Sequence, residues 1–193
     1  MRGYALVGGQ AAYLFAPLLV ATLLSAIVLK LDLLRFLKRP IDRGRSWRGR
    51  RLFGDNKTWR GVVVAVLGCI AGVAVQRYVI GAQVGAIAVV RYEELDVFLF
   101  GAAMGGGASL GELPNSFAKR QLGIAPGKTT TGPRAVGFYV WDQVDLLIGA
   151  WPLLACWISP RVEVVLASFA LVAILHPAIS LVGYVIGARK SAR

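Results

Sequence analysis

Histidine occurs once in this chain of 193 residues, at His176, and cysteine twice, at Cys69 and Cys156. A lone histidine has no second imidazole to join it at a metal. It precedes Pro177 inside an apolar run, so it reads as a packing residue at a kink. The two cysteines lie in different apolar runs and offer neither zinc spacing nor a disulfide framework. Acid is scarce as well: ten Asp and Glu stand against twenty-two Lys and Arg, a formal net charge of +12. Apolar side chains fill the difference, at 56% of the sequence with a mean hydropathy of +0.62. Soluble domains rarely combine that apolar fraction with so little charge. The expected class is an all-α polytopic integral membrane protein, one domain over residues 1–193. In a soluble protein the positive charge would point to nucleic acid. Here it lies between apolar runs, which reads as membrane topology and anionic ligands, with no nucleic acid partner.

Five apolar runs place transmembrane helices near 11–34, 61–76, 97–111, 136–158 and 162–186. The first exceeds the roughly 20 residues a bilayer requires. A signal peptide is the competing reading, but only Arg2 precedes the run and a basic block follows, which favours a retained span. Val79 to Val90 is too short to cross and reads as an external or interfacial segment. Gly68 and Gly72 form a small-xxx-small packing face, and Gly101 and Gly105 lie one turn apart on a second one. With the N-terminus outside and the C-terminus cytoplasmic, the inner segments are 30–60, 112–134 and the C-terminal tail. They hold eighteen of the twenty-two basic residues, as the positive-inside rule requires. The cytoplasmic polar loops therefore share one face of a multi-pass cell-membrane protein.

Within 30–60, eleven Lys and Arg face three Asp. Most of that block, including Arg43, Arg45, Arg48, Arg50 and Arg51, reads as an inner-leaflet anchor. Its end differs: Phe53-Gly-Asp-Asn-Lys-Thr-Trp-Arg-Gly61 puts a turn before the second apolar run. Asp55 or Asn56 is the expected cap of that helix. A helix start beside Lys57, Thr58 and Arg60 makes an anion site.

The polar stretch from Ser109 to Asp145 holds three of the ten acidic residues, Glu112, Asp142 and Asp145. Asp142 and Asp145, three apart, fall on one helix face at the start of an apolar segment. One ionised carboxylate in a membrane helix costs roughly 3 kcal/mol on insertion scales. A second beside it costs more unless a cation intervenes. A divalent metal is one resolution; snorkelling to the surface or pairing with nearby Lys and Arg is the other. Glu112, Asn115 and Lys119 would share a face of a helix that Pro114 makes irregular. Lys119, Arg120, Lys128 and Arg134 supply cations, and Ser116, Thr129, Thr130 and Thr131 supply hydroxyls. This inventory suits a polyphosphate held by cations and one or two Mg2+, whose coordination favours oxygen. Gly123-Ile-Ala-Pro-Gly127-Lys128-Thr129 is not a Walker A loop, because three residues rather than four separate its glycines and no strand precedes it.

These residues carry a family resemblance. Phe53 to Gly61, Gly111 to Arg120 through Pro126-Gly127-Lys128, and Asp142-Gln-Val-Asp145 together resemble the archaeal CDP-archaeol synthases, relatives of the phosphatidate cytidylyltransferases. The resemblance implies Mg2+-dependent condensation of CTP with the isoprenoid ether lipid phosphate 2,3-bis-O-geranylgeranylglycerol 1-phosphate. The site would be a polar cavity open to the cytoplasm, among membrane lipids. Ser116, Lys119, Arg120, Asp142 and Asp145 match the wider cytidylyltransferase signature. Ala125-Pro126 stands where the bacterial pattern has Lys-Asp, and no His-Gly-Gly precedes the Asp pair, which favours the archaeal branch. Glu112 or Asp55 is the candidate substitute for the missing acid. Asp142 and Asp145 would hold the metal, Lys119, Arg120 and Lys128 the β- and γ-phosphates, and Asp55, Asn56, Lys57 and Thr58 the nucleotide or lipid phosphate. A CDP-alcohol phosphotransferase is disfavoured because Leu146 follows Asp145 and no later Asp exists. A transporter or channel for anions would use the Asp pair for a coupling cation, but no internal repeat supports it. A purely structural subunit leaves the clustered Asp, Lys and Asn unexplained.

Overall fold

The computed structural model describes residues 2–126, 128, 132–159 and 161–185. It contains five long helices: α1 (Arg2–Lys30), α2 (Trp59–Val75), α3 (Val97–Gln121), α4 (Ala135–Leu154) and α5 (Val162–Val185). Each packs on the next in sequence, and α5 returns to α1, so the five close into a ring. Two stretches, Gly3–Lys30 and Trp59–Ile80, are long and apolar enough to cross a bilayer by themselves. Helices α3 and α4 carry the charged residues of interest. The side chain of His176 and the basic C-terminal tail lie outside the described residues.

Glycine sets the helix spacing. A Cβ on Gly68 would lie 2.4 Å from Ala21 Cα, and one on Gly72 would lie 2.6 Å from Pro17 Cα. The small-residue face read from the sequence thus seats α2 on α1. Gly101 meets Ile70 and Gly105 meets Ala65, where added methyls would come within 2.6 Å of Ile70 Cα and 2.5 Å of the Ala65 carbonyl oxygen. That face seats α3 on α2. Phe100, Met104, Leu147, Leu154 and Val164 fill the buried apolar centre.

Three elements differ from the sequence reading. Helix α3 does not end near residue 111 but runs through Pro114 to Gln121. Proline removes one backbone donor, yet packing against α2 and α4 holds the helix on both sides of it. The segment 112–134 is therefore partly helix rather than loop. Arg77 does not reach outward; it donates to the Leu95 carbonyl oxygen. The stretch after α2 forms short helical turns, Gln76–Ile80 and Gly81–Ile87. It folds back on α1, where Gln10 Nε2 donates to the Ala86 carbonyl oxygen at 2.8 Å.

The basic block is the third difference, because it is folded. Strands β1 (Ser46–Trp47) and β2 (Arg50–Arg51) pair antiparallel. Their turn residues Arg48 and Gly49 both have positive φ, 50° and 77°, as a tight two-residue hairpin demands. Asp42 organises the block. Its buried carboxylate accepts from the Gly44 amide at 3.0 Å, the Phe53 amide at 3.0 Å, the Gly54 amide at 2.9 Å and Arg51 Nη2 at 2.7 Å. Burial pushes this carboxyl up, but Arg51 and the Gly54, Phe53 and Gly44 amides outweigh it and hold it well below the usual carboxylate range.

The sign of the pH dependence follows. Asp42 binds its proton less readily folded than unfolded, so its stabilisation is complete above the unfolded value of about 3.9. It is lost as pH falls through the depressed folded value. Asp42→Asn keeps the shape, loses the charge-assisted bonds and should cost about 1–3 kcal/mol locally. Hydrogen exchange at the Gly44, Phe53 and Gly54 amides reads this out: faster exchange is expected in the variant at neutral pH, and in the parent protein only in strong acid.

Candidate active site

Helices α3 and α4 approach more closely than any ordinary side chain permits. A Cβ on Gly111 would lie 2.1 Å from the Asp145 carbonyl oxygen, and one on Gly149 would lie 2.0 Å from the Gly107 carbonyl oxygen. Backbone therefore meets backbone at this crossing. One turn beyond Gly111 the same contact brings Asn115 onto the aspartate pair. Asn115 Nδ2 donates to Asp142 Oδ1 at 2.6 Å and to Asp145 Oδ2 at 2.9 Å. Asn115 is 2% exposed and Asp145 6%, so this is a dry junction. Among the described residues, the buried Asn115 Oδ1 has no hydrogen-bond partner.

Lys119, one turn further along α3, forms an ion pair with Asp142 Oδ1. The Asp142 side chain is 41% exposed and that of Lys119 15%, so the pair lies at the rim of the junction. The Lys119 ammonium also sits 5.7 Å from the Phe138 ring centroid, a cation–π contact that fixes its direction. Glu112, on the same α3 face, pairs with Lys57 from the loop before α2. Pro114 does not disrupt the face shared by Glu112, Asn115 and Lys119. Ser116 is buried on α3 beside them.

The 54–58 loop rests on the C-terminal end of α3. Gly54 has φ +96°, and its notional Cβ would come 2.9 Å from Pro126 Cγ and 3.5 Å from Arg120 Nε. Arg120 is buried and donates to the Ile124 carbonyl oxygen, while its Nε lacks a partner among the described residues. Gln121 Nε2 donates to the Arg51 carbonyl oxygen at 3.2 Å, and Arg50 donates back to the Gln121 carbonyl oxygen. The hairpin and the loop are thus joined to α3 as one surface.

Some sequence candidates serve the fold. Thr58, rather than Asp55 or Asn56, caps α2: its Oγ1 accepts from the Gly61 amide at 3.3 Å. The cap falls there because 57–59 pair with 39–41, through Ile41 N to Lys57 O at 2.8 Å and Trp59 N to Arg39 O at 3.0 Å. Helical geometry can begin only after that pairing ends. Arg60 is buried and bound to Asp32 Oδ1 at 2.8 Å and the Leu33 carbonyl oxygen at 3.1 Å, so its charge locks the end of α1. Asp55 is exposed and pairs with Arg51 at 2.9 Å. Asn56 is exposed near Gly54, and Lys128 is exposed beyond α3. Thr129, Thr130 and Thr131 lie outside the described residues. Sequence reasoning did not find Asp42 or the Gly107, Gly111 and Gly149 crossing. The signal for the crossing was the glycine spacing of four continuing from Gly107 to Gly111.

Comparisons with known proteins bear on this geometry. The family described as CarS-like, CDP-archaeol synthase, matches residues 22–192. A CDP-archaeol synthase of Methanosphaerula palustris is 34% identical over 159 residues, covering 78% of this chain and 87% of the relative. One from Halobacterium salinarum is 36% identical over 165 residues, covering 78% and 81%. A solved intramembrane enzyme for archaeal membrane lipid biosynthesis aligns with a TM-score of 0.59 at 28% identity, covering 89% of this chain and 92% of that one.

Proposed function

The chain belongs to the CDP-archaeol synthase family, and from that premise we propose how its own residues carry out cytidylyl transfer. It is a CTP-dependent cytidylyltransferase of archaeal membrane-lipid synthesis. The finer reading is transfer of CMP from CTP to 2,3-bis-O-geranylgeranylglycerol 1-phosphate, giving CDP-archaeol and pyrophosphate. All five helices cross the cell membrane, with the N-terminus outside and the hairpin, the 54–58 loop and the C-terminus cytoplasmic. The charge distribution supports this orientation, since the hairpin side carries the basic block.

The observation that carries the site assignment is the Asn115 amide bridging Asp142 and Asp145, its own oxygen unpaired among the described residues. Two carboxylates held side by side supply the oxygen donors that Mg2+ prefers, and an Asn115 amide turned over would add its oxygen to them. Asp142 and Asp145 would hold the ion, with Asn115 orienting them. Bound there, Mg2+ would neutralise charge on the transferred and leaving phosphates. Lys119, paired with Asp142, and Lys57, paired with Glu112, would bind triphosphate oxygens. Arg120, whose Nε lacks a partner among the described residues, would add a further cation on the side of Gly54. The lipid phosphate is already anionic near neutral pH and needs no strong base. Its oxygen bonds to the α-phosphorus of CTP, the bond to the β-phosphate bridge breaks, and pyrophosphate leaves with that electron pair. The protein's part is alignment and charge compensation.

The test is direct. Purified protein with labelled CTP, lipid phosphate and Mg2+ should release pyrophosphate and form CDP-lipid, with CTP preferred among the four nucleoside triphosphates. Chelation by EDTA should abolish turnover. Full turnover in EDTA would reject the metal assignment, and release without a lipid phosphate would reject the acceptor.

A further inference from the structure

Each carboxylate of the site already has a cationic or amide partner from the protein. Lys119 and the Asn115 amide engage Asp142, Asn115 engages Asp145, and Lys57 engages Glu112. These contacts join three segments: the 54–58 loop, α3 and α4. The two lysines are the groups best placed for a triphosphate, and two of the carboxylates are those best placed for a metal. Neither set is free.

We propose that the site is latched by its own ion pairs, so that a divalent cation and a nucleoside triphosphate bind only by exchanging partners together. This rests on the metal and CTP reading above and adds the order and coupling of binding. A dication arriving alone must displace the Lys119 ammonium and leave it unpaired beside the new charge. A triphosphate arriving alone must draw Lys119 and Lys57 away and face Asp142 and Glu112 uncompensated. Stripping one partner from a pair whose ammonium is largely withdrawn from water is the costly step. When both ligands arrive, carboxylates pass to the metal and ammoniums to the phosphates, and every charge keeps an opposite neighbour. Asn115 acts in the same exchange. Its amino group stands between the aspartates where a cation would, and turning the amide over would present its oxygen to that cation. Coupling of this kind is reciprocal, so each ligand raises the affinity of the other by one factor.

The test uses the full chain in detergent or nanodiscs without lipid substrate, so no turnover occurs. Mn2+ binding is read by electron paramagnetic resonance, alone and with CTP, after correction for Mn2+–CTP in solution. Wild-type affinity for Mn2+ should rise at least about tenfold with CTP, a coupling of ordinary size. Lys119→Gln removes the bolt on Asp142, so Mn2+ alone should bind about tenfold tighter than to wild type, with little further gain from CTP. Lys57→Gln should show a smaller change in the same direction. Arg120→Gln removes a neighbouring charge without touching a carboxylate and measures the long-range electrostatic share. If wild-type Mn2+ affinity is the same with and without CTP, or Lys119→Gln gains no more than Arg120→Gln, the latch is overturned while the metal reading stands. If saturable Mn2+ binding is absent in every condition, both fall.

Discussion

Replacing Asp145 by alanine is expected to lower CDP-lipid formation by about 10³-fold or more, because a charge-stabilising group at the reacting phosphates is lost. Asp142→Ala should do the same. The usual objection, that the variant is unfolded, is weak here on physical grounds. Asp145 is 6% exposed within a helix that is otherwise mostly apolar. Deleting a buried carboxylate there lowers the cost of inserting α4, so the protein should enter membranes at least as well as the parent. Asp145→Asn separates charge from shape, since the amide oxygen can still accept from Asn115. It should keep the fold and lose most of the rate. Thermal stability in detergent and CDP-lipid yield are measured on the same preparations. Turnover within tenfold of wild type in both alanine variants would dispose of the aspartates as the metal-binding pair.

The second large effect is expected at a residue that has no side chain. Gly111→Ala adds one methyl group 2.1 Å from the Asp145 carbonyl oxygen, 2.7 Å from Gly149 N and 3.0 Å from Gly149 Cα. All three are backbone atoms and cannot swing aside, so α3 and α4 must separate. Overpacking of this kind costs about 1–3 kcal/mol. The catalytic cost should be larger in proportion, because separation breaks the 2.9 Å contact between Asn115 and Asp145. A misplacement near 1 Å is enough for a loss of about 10²-fold. Gly106→Ala is the matched control, since nothing lies within 4 Å of its added methyl. Activity and melting temperature should fall in Gly111→Ala and hold in Gly106→Ala. Equal behaviour of the two would show that the crossing does not position the aspartates.

The family and the acid pair were legible in the sequence because helical spacing and motif order are local properties. Gly68 with Gly72, and Gly101 with Gly105, announced helix faces by repeating every four residues, and the structure seats α2 and α3 on those faces. Pro114 misled, because its effect on a helix depends on what packs around it, and that is tertiary information. Asp42 was hidden for a related reason. Three of its partners are backbone amides, at Gly44, Phe53 and Gly54, which converge only after the hairpin turns. No residue type marks such a site in advance. Arg60 and Lys57 look alike in sequence, three apart beside the same helix start. Only the fold sends one to Asp32 to close the end of α1 and the other to Glu112 at the site.

The contacts that the hairpin and the loop after it make before reaching α3 are short in sequence. Asp42 reaches Gly54 across 12 positions, and Arg60 reaches Asp32 across 28. A growing chain can therefore complete this cap once the first turn of α2 has left the ribosome, before either aspartate of the pair has been translated. During synthesis this cap is set first, and the helix that carries Asp142 and Asp145 arrives later, to a surface already folded.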